Sequence, residues 1–149
     1  MSKLKLTDEW WTAPAQSDDG RLVMVTGRRD MEPAIATGFY NTRMEVTWRY
    51  GGPDAGMPPD ATARLMEQVT TALADEFRRD PVAILTGIYT GAGERNWVFY
   101  VRSLHIFQRK INEILAPFEQ LPLEFYAEED PEWEEYREMR ETEIPDDGT

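Results

Sequence analysis

The chain contains no cysteine. That absence removes disulfides, thiolate metal sites and thiol nucleophiles together. Histidine occurs once, as His105, and serine only as Ser2, Ser17 and Ser103. A general acid–base or metal role for His105 needs a partner, and no second His or Cys exists to supply one. It stands at the start of a predicted helix and reads as a surface residue. None of the serines lies in G-x-S-x-G, so no serine nucleophile is signalled. No apolar run approaches the roughly 18 residues that span a bilayer. The opening MSKLKLTDEWW has neither an apolar h-region nor a small-residue cleavage site. The expectation is a cytoplasmic protein with no catalytic set, cofactor or metal that sequence can point to.

What is present argues for a packed core. Apolar residues make up 41% of the chain and aromatics 11%, with five tryptophans. The net charge of −12 is unevenly placed. Residues 128–149 hold eleven acids and two bases, while the other 127 residues hold seventeen acids and fourteen bases. The body is thus near neutral and the C-terminal part strongly acidic. Nucleic acid and anionic membranes are disfavoured as direct partners, because both need a positive surface. A basic protein partner is compatible with the charge, although a solvated acidic tail accounts for it too.

The organising stretch is residues 83–101, AILTGIYTGAGERNWVFYV. Two β-branched and aromatic runs flank Gly91-Ala92-Gly93, which predicts a β-hairpin. The first run is nearly continuously apolar and suits a strand covered on both faces. The glycine pair lacks the lysine and following helix of a phosphate loop. The run Arg95-Asn96-Trp97-Val98-Phe99-Tyr100 superficially matches RNA-recognition strands, but lacks their Lys/Arg-Gly-Phe start.

Ahead of the hairpin, Trp10-Trp11-Thr12-Ala13 reads as extended, residues 17–20 as a turn, and residues 21–28 as a strand. Residues 29–41 read as a loop. Residues 42–50 alternate, with Met44, Val46, Trp48 and Tyr50 on one side and Glu45, Thr47 and Arg49 on the other, predicting a half-buried strand. After a Gly/Pro loop, Leu65, Met66, Val69, Leu73 and Phe77 recur at offsets 0, 1, 4, 8 and 12, one stripe of a helix that should stop before Pro81. Phe107, Ile111, Ile114, Leu115 and Phe118 form a second stripe. Residues 123–126 predict a last strand. Residues 130–139 predict a short helix with Asp130 as N-cap and Pro131 at its first position. Trp133 and Tyr136, three residues apart, would clamp that helix to the sheet. The cluster Glu128, Glu129, Asp130 and Glu132 does not follow the spacing of a calcium loop.

From residue 42 the predicted order is strand, helix, strand, strand, helix, strand. That is the split βαβ, ferredoxin-like arrangement, an α+β sandwich with an antiparallel sheet and two helices on one face. One domain is expected: core 42–126, N-terminal β-hairpin 8–30 extending the sheet or covering its open face, acidic helix 130–140, and frayed tail 141–149.

Trp10, Leu85-Thr86-Gly87, Trp97-Val98-Phe99-Tyr100 and Asp130-Pro131-Glu132-Trp133-Glu134-Glu135-Tyr136, in this order and spacing, resemble an uncharacterised bacterial family, domain-of-unknown-function family number 695. The resemblance covers residues 8–140. It implies the α+β fold and supplies no activity or catalytic residues. A more distant likeness, in fold class and acidity alone, is to the regulator of ribonuclease E activity B, which inhibits by protein binding.

Together these observations favour a non-enzymatic protein-interaction or regulatory module. The alternative is a small enzyme or ligand-binding protein whose Asp/Glu/Tyr-lined pocket sequence does not locate. If the protein is a binder, the expected surface is the outer face of the acidic helix, Glu134, Glu135 and Glu138. Residues 141–149 contain four acids, no base and only Ile144 to bury. Deleting them should change stability by less than about 1 kcal/mol. Urea denaturation of the full and shortened chains measures this.

Overall fold

The computed structural model describes residues 6–17, 19–118 and 120–142. In chain order these form β1 (Trp10–Gln16), β2 (Leu22–Arg28), α1 (Glu32–Thr37), β3 (Thr42–Arg49), α2 (Asp60–Arg79), β4 (Ala83–Gly91), β5 (Glu94–Val101), α3 (Leu104–Leu115), β6 (Leu123–Glu129) and α4 (Glu134–Arg140). The strands make one six-stranded sheet in the order β1-β2-β4-β5-β3-β6, and every neighbouring pair is antiparallel. The fold is mixed α+β. The N-terminal hairpin extends the sheet through β2 and β4.

The central hairpin closes at Ala92-Gly93, whose φ angles of 52° and 87° are both left-handed. Two such residues turn the chain with the twist that antiparallel strands require. Gly93 also carries the loop that follows β3. Its carbonyl accepts from Tyr50 and Gly51, and its N–H donates to Gly56. Thr86 interrupts the β4–β5 register between Leu85 and Gly87, a one-residue bulge.

Both amphipathic helices pack on one face, as their stripes predict. Met66, Val69, Leu73 and Phe77 of α2 meet Phe107 and Ile111 of α3 over Met44, Val46, Leu85, Trp97 and Phe99 of the sheet. Phe77 stacks on Phe107 at 5.5 Å, and Phe99 stands against both rings. Ser103 caps α3 by accepting from the Ile106 N–H (3.2 Å).

The second face is covered by helices, and of the two places expected for the N-terminal hairpin it takes the one that extends the sheet. Met31 and Ala34 of the α1 region join Tyr40, and Trp133, Tyr136 and Met139 of the α4 region join Ile84, Val98 and Tyr100 in a second core. Helix α1 lies inside residues 29–41, read from sequence as a loop. Pro33 and Gly38, which look like breakers, are its start and stop. Proline is tolerated in a first helical turn, and Gly38 ends the helix at φ 70°.

The C-terminal element is also displaced. Helix α4 begins at Glu134, not at Asp130, because Trp133 adopts a left-handed conformation at its N-cap (φ 55°, ψ 42°). Asp130 still caps it from one turn upstream, accepting from the N–H groups of Glu134 (2.9 Å) and Glu135 (3.2 Å). β6 runs to Glu129, beyond the expected Tyr126, because its register with β3 continues to Thr42↔Glu129. Residues 143–149 of the acidic tail lie outside the described residues.

Trp133 is buried and stacks on Tyr100 at 3.9 Å and 11°. Its indole N–H donates to the Tyr40 carbonyl (2.8 Å). Trp133→Ala should therefore cost about 3–5 kcal/mol, the usual scale for truncating a buried large aromatic. Denaturant unfolding reads this directly, and an unchanged midpoint would contradict a structural role.

Candidate functional site

The two helical layers are offset. Helices α2 and α3 leave the β1–β2 end of the sheet bare on their face. Helices α1 and α4 leave the β3–β6 end bare on the other. At that second end Arg43, Glu45 and Thr47 alternate out of β3, opposite Glu128, Tyr126 and Glu124 of β6. Arg43 pairs with Glu45 (2.8 Å) and with Glu128, and lies 5.9 Å from the Tyr126 ring centroid. Thr47 donates to Asn96 (2.5 Å).

β6 itself is a sheet edge. From Glu124 to Glu129 every residue is exposed, and Phe125 and Tyr126 keep 47% and 54% of their surface in solvent on opposite faces. The Asp130 N–H donates to the Asn41 carbonyl (2.8 Å). By the alternation of an antiparallel ladder, Phe125, Ala127 and Glu129 then turn their backbone N–H and C=O groups away from β3. The opposite edge is different, because β1 carries Pro14 in its middle. Proline blunts an edge against further pairing. β6 has none.

The expected partner residues divide. Glu134 and Glu138 are exposed, but Glu135 is not on their face. It turns in toward the sheet, where its Oε1 accepts from the Tyr89 hydroxyl and its buried Oε2 has no hydrogen-bond partner among the described residues. Burial raises its pKa, and the nearby Glu45 and Asp130 add to that against the pull of Tyr89 and Arg43. Asp130 behaves oppositely. Burial pushes it up, but the Tyr100 hydroxyl (2.7 Å) and the two α4 N–H groups outweigh that and hold it below the ordinary range. Tyr89 and Tyr100 are both raised, first by burial and then by these carboxylates.

This acid–tyrosine group fastens α4 and does not line the two adjoining clefts between α2 and the sheet, whose linings contain no tyrosine. His105 is exposed on α3. Glu128 is committed to Arg43 and Asp130 to α4, so the acidic cluster of residues 128–132 is dispersed. Among the described residues no group of three or more His, Asp or Glu is placed to hold a metal ion. Trp97, Phe99 and Tyr100 are buried, so the RNA-like strand offers no ring for a base to stack on. Sequence reading missed Phe125, Tyr126 and the free edge. The unbroken, proline-free LEFYAEE was the available signal.

A family model described as "Family of unknown function (DUF695)" matches residues 8–139. No curated protein and no solved structure matches the chain. The likeness to the regulator of ribonuclease E activity B therefore finds no support. No helix among the described residues is long and apolar enough to cross a membrane.

The Glu135 carboxyl yields a pH prediction. Its raised pKa means the folded state holds this proton more tightly than the unfolded chain does. The stability it contributes is complete below the ordinary value of 4.5 and is lost as pH rises through the folded-state value. Asp130 has the reverse sign, contributing above 3.8 and losing that as pH falls through its lowered value. Glu135→Gln keeps an acceptor for Tyr89 and removes the buried charge. It should raise the melting temperature at neutral pH and flatten the fall of stability with rising pH. Thermal unfolding across that range measures both, and an unchanged profile would place the carboxylate in water.

Proposed function

The chain belongs to the DUF695 family, whose description names no activity, and we propose from its geometry that it is an interaction module that binds an extended, basic segment of another protein along β6. The observation that carries this reading is the edge itself. It is seven residues long, terminal in the sheet, free of proline, and exposed on both faces. Such an edge is a template for strand addition, in which main-chain bonds supply affinity and alternate side chains supply selectivity.

Charge selects the occupant. Glu124, Glu128 and Glu129 lie on the edge, the first two beside Arg49 and Arg43 of β3, with Glu134 and Glu138 exposed on α4. Pairing β6 with a second copy of itself, antiparallel about Tyr126, would set Glu124 opposite Glu128 on both sides. Like charges directly opposite are destabilising. A strand with lysine or arginine at alternate positions meets the same row favourably. Phe125 and Tyr126 provide one apolar contact on each face. The order β4-β5-β3-β6 with α2 and α3 as crossovers supports reading residues 42–126 as a ferredoxin-like unit, in one domain with its flanking elements.

A synthetic peptide alternating lysine and valine tests the proposal. It should bind saturably, protect the Phe125, Ala127 and Glu129 amides from hydrogen exchange, and weaken steeply with salt. Glu134→Gln with Glu138→Gln should slow association with little change in dissociation. Ala127→Pro removes an outward donor while leaving the β3 side intact, and should abolish binding in a protein that still melts cooperatively. Binding indifferent to salt and to Ala127→Pro would overturn the reading.

A further inference from the structure

The other bare end of the sheet holds a trough. Two adjoining clefts of about 410 and 660 Å³ share Asp8, Trp10, Ala74, Arg78 and Leu85, and lie between α2 and the uncovered face of β1, β2 and β4. Volumes of this size suit a small organic molecule. Trp10 stands on β1, Arg28 ends β2, Ala74 and Arg78 face them from α2, and Phe77 and Leu85 supply apolar wall.

Arg28 is the unusual member. Burial lowers its pKa, yet a guanidinium stays protonated. Among the described residues no carboxylate pairs with it. Its partners are the Thr7 carbonyl (3.1 and 3.0 Å), the Leu85 carbonyl (3.2 Å) and the Trp10 ring, with the centroid 5.4 Å away. Leu85 lies past the last β2–β4 pair, Gly27↔Gly87, so its carbonyl is available to the guanidinium. These three bonds use three of the five N–H donors of the group.

Three acids line the trough, Asp8, Glu67 and Asp75, and among the described residues none bonds to Arg28, although Asp8 acts on it through space. Asp8 accepts from the Trp10 indole N–H (2.8 Å) with one oxygen and from Arg78 (3.3 Å) with the other. Arg78 spends a second donor on Asp75 (3.0 Å) and keeps the rest. The trough therefore holds a partly desolvated cation to which no carboxylate bonds directly among the described residues, beside a second arginine with spare donors, an indole face and an apolar wall. An ion in that setting is stabilised by an anion that brings its own hydrogen-bond acceptors.

We propose that this trough is a binding site for a small aromatic carboxylate, its carboxylate on Arg28 and Arg78 and its ring between Trp10 and the Ala74–Phe77 side of α2. The site lies at the opposite end of the sheet from β6. It stands or falls separately from the edge-strand reading.

The probe is naphthoate, compared with its uncharged amide, in a proton–nitrogen NMR titration of the full chain. Naphthoate should shift the Trp10 indole and the Arg28 Nε–H saturably, with the amide weaker by about tenfold or more. Arg28→Gln should erase that preference, and Arg28→Lys should keep part of it. Ala74→Phe fills the trough without touching a polar contact, and should block both compounds in a protein whose melting temperature is retained. That variant keeps the test decisive if loss of the Thr7 and Leu85 bonds loosens the N-terminal segment in the Arg28 variants. Equal affinity for acid and amide, no saturable shift at Trp10 or Arg28, or undiminished binding by folded Ala74→Phe would each overturn the proposal.

Discussion

The stack of Trp133 on Tyr100 is the contact on which the second half of the fold depends. Tyr100 lies next to the last residue of β5, and its hydroxyl donates to Asp130 (2.7 Å) while accepting from the Tyr136 N–H (3.2 Å). Asp130 in turn caps α4, and Trp133 reaches the Tyr40 carbonyl beyond α1. One pair of rings thus joins the sheet, the end of β6, α4 and the segment after α1. The arrangement carries a cost, because a left-handed aromatic residue is strained by about 1–3 kcal/mol. Burial of two large rings, their stacking and satisfied polar groups together outweigh it. The node adds to the other ties on α4, which is only seven residues long: buried Tyr136 and Met139, the Tyr89–Glu135 bond and the Tyr136 hydroxyl on the Arg28 carbonyl.

The elements that could be read from sequence are those whose signal is local. Gly91-Ala92-Gly93 between two apolar runs specifies its hairpin through backbone sterics alone. The stripes from Leu65 to Phe77 and from Phe107 to Leu115 specify helices and the face they bury. The elements that were misread owe their form to distant partners. The six residues of α1 are too few to show a period, and only the second core holds them. The start of α4 is set by where the Tyr100 ring lies, not by Asp130 and Pro131. Glu135 looks like one more acid on an acidic helix, and nothing near it in sequence reveals that Tyr89 waits beneath. The trough is further removed still. Its walls come from residues 6–10, 24–28, 57–58, 63–85 and 88–95, which no single pattern links.

The offset between the helical layers explains where this protein has surface left to use. β4 and β5 are buried on both faces, as their near-continuous apolar runs require. Cover has been drawn toward them from each side, leaving opposite ends of the sheet bare on opposite faces. The composition of each end follows. On the β3–β6 side the exposed positions are filled by Glu45, Glu124, Glu128, Arg43 and Tyr126. On the β1–β2 side they are Thr12, Thr26, Met24 and Trp10. An acid-rich platform and a threonine-rich trough with an indole are different chemical surfaces, and the strands that carry them alternate accordingly.

Arg28 ties these parts together. Its carbonyl accepts the Tyr136 hydroxyl of α4 (2.6 Å), while its side chain enters the trough. It is paired with Trp10 at the last rung of the β1–β2 ladder, so the cation and the ring it lies over share one fixed backbone position. The helix on one face therefore sets where the guanidinium sits on the other. Among the described residues no carboxylate bonds to this arginine, and Asp8 acts on it only through space. The backbone end is anchored from behind by a buried tyrosine, and the charged end is steadied by two carbonyls and an indole. Two of its five N–H donors are left for the anion proposed above. That capacity is what distinguishes the trough from an ordinary gap between a helix and the edge of a sheet.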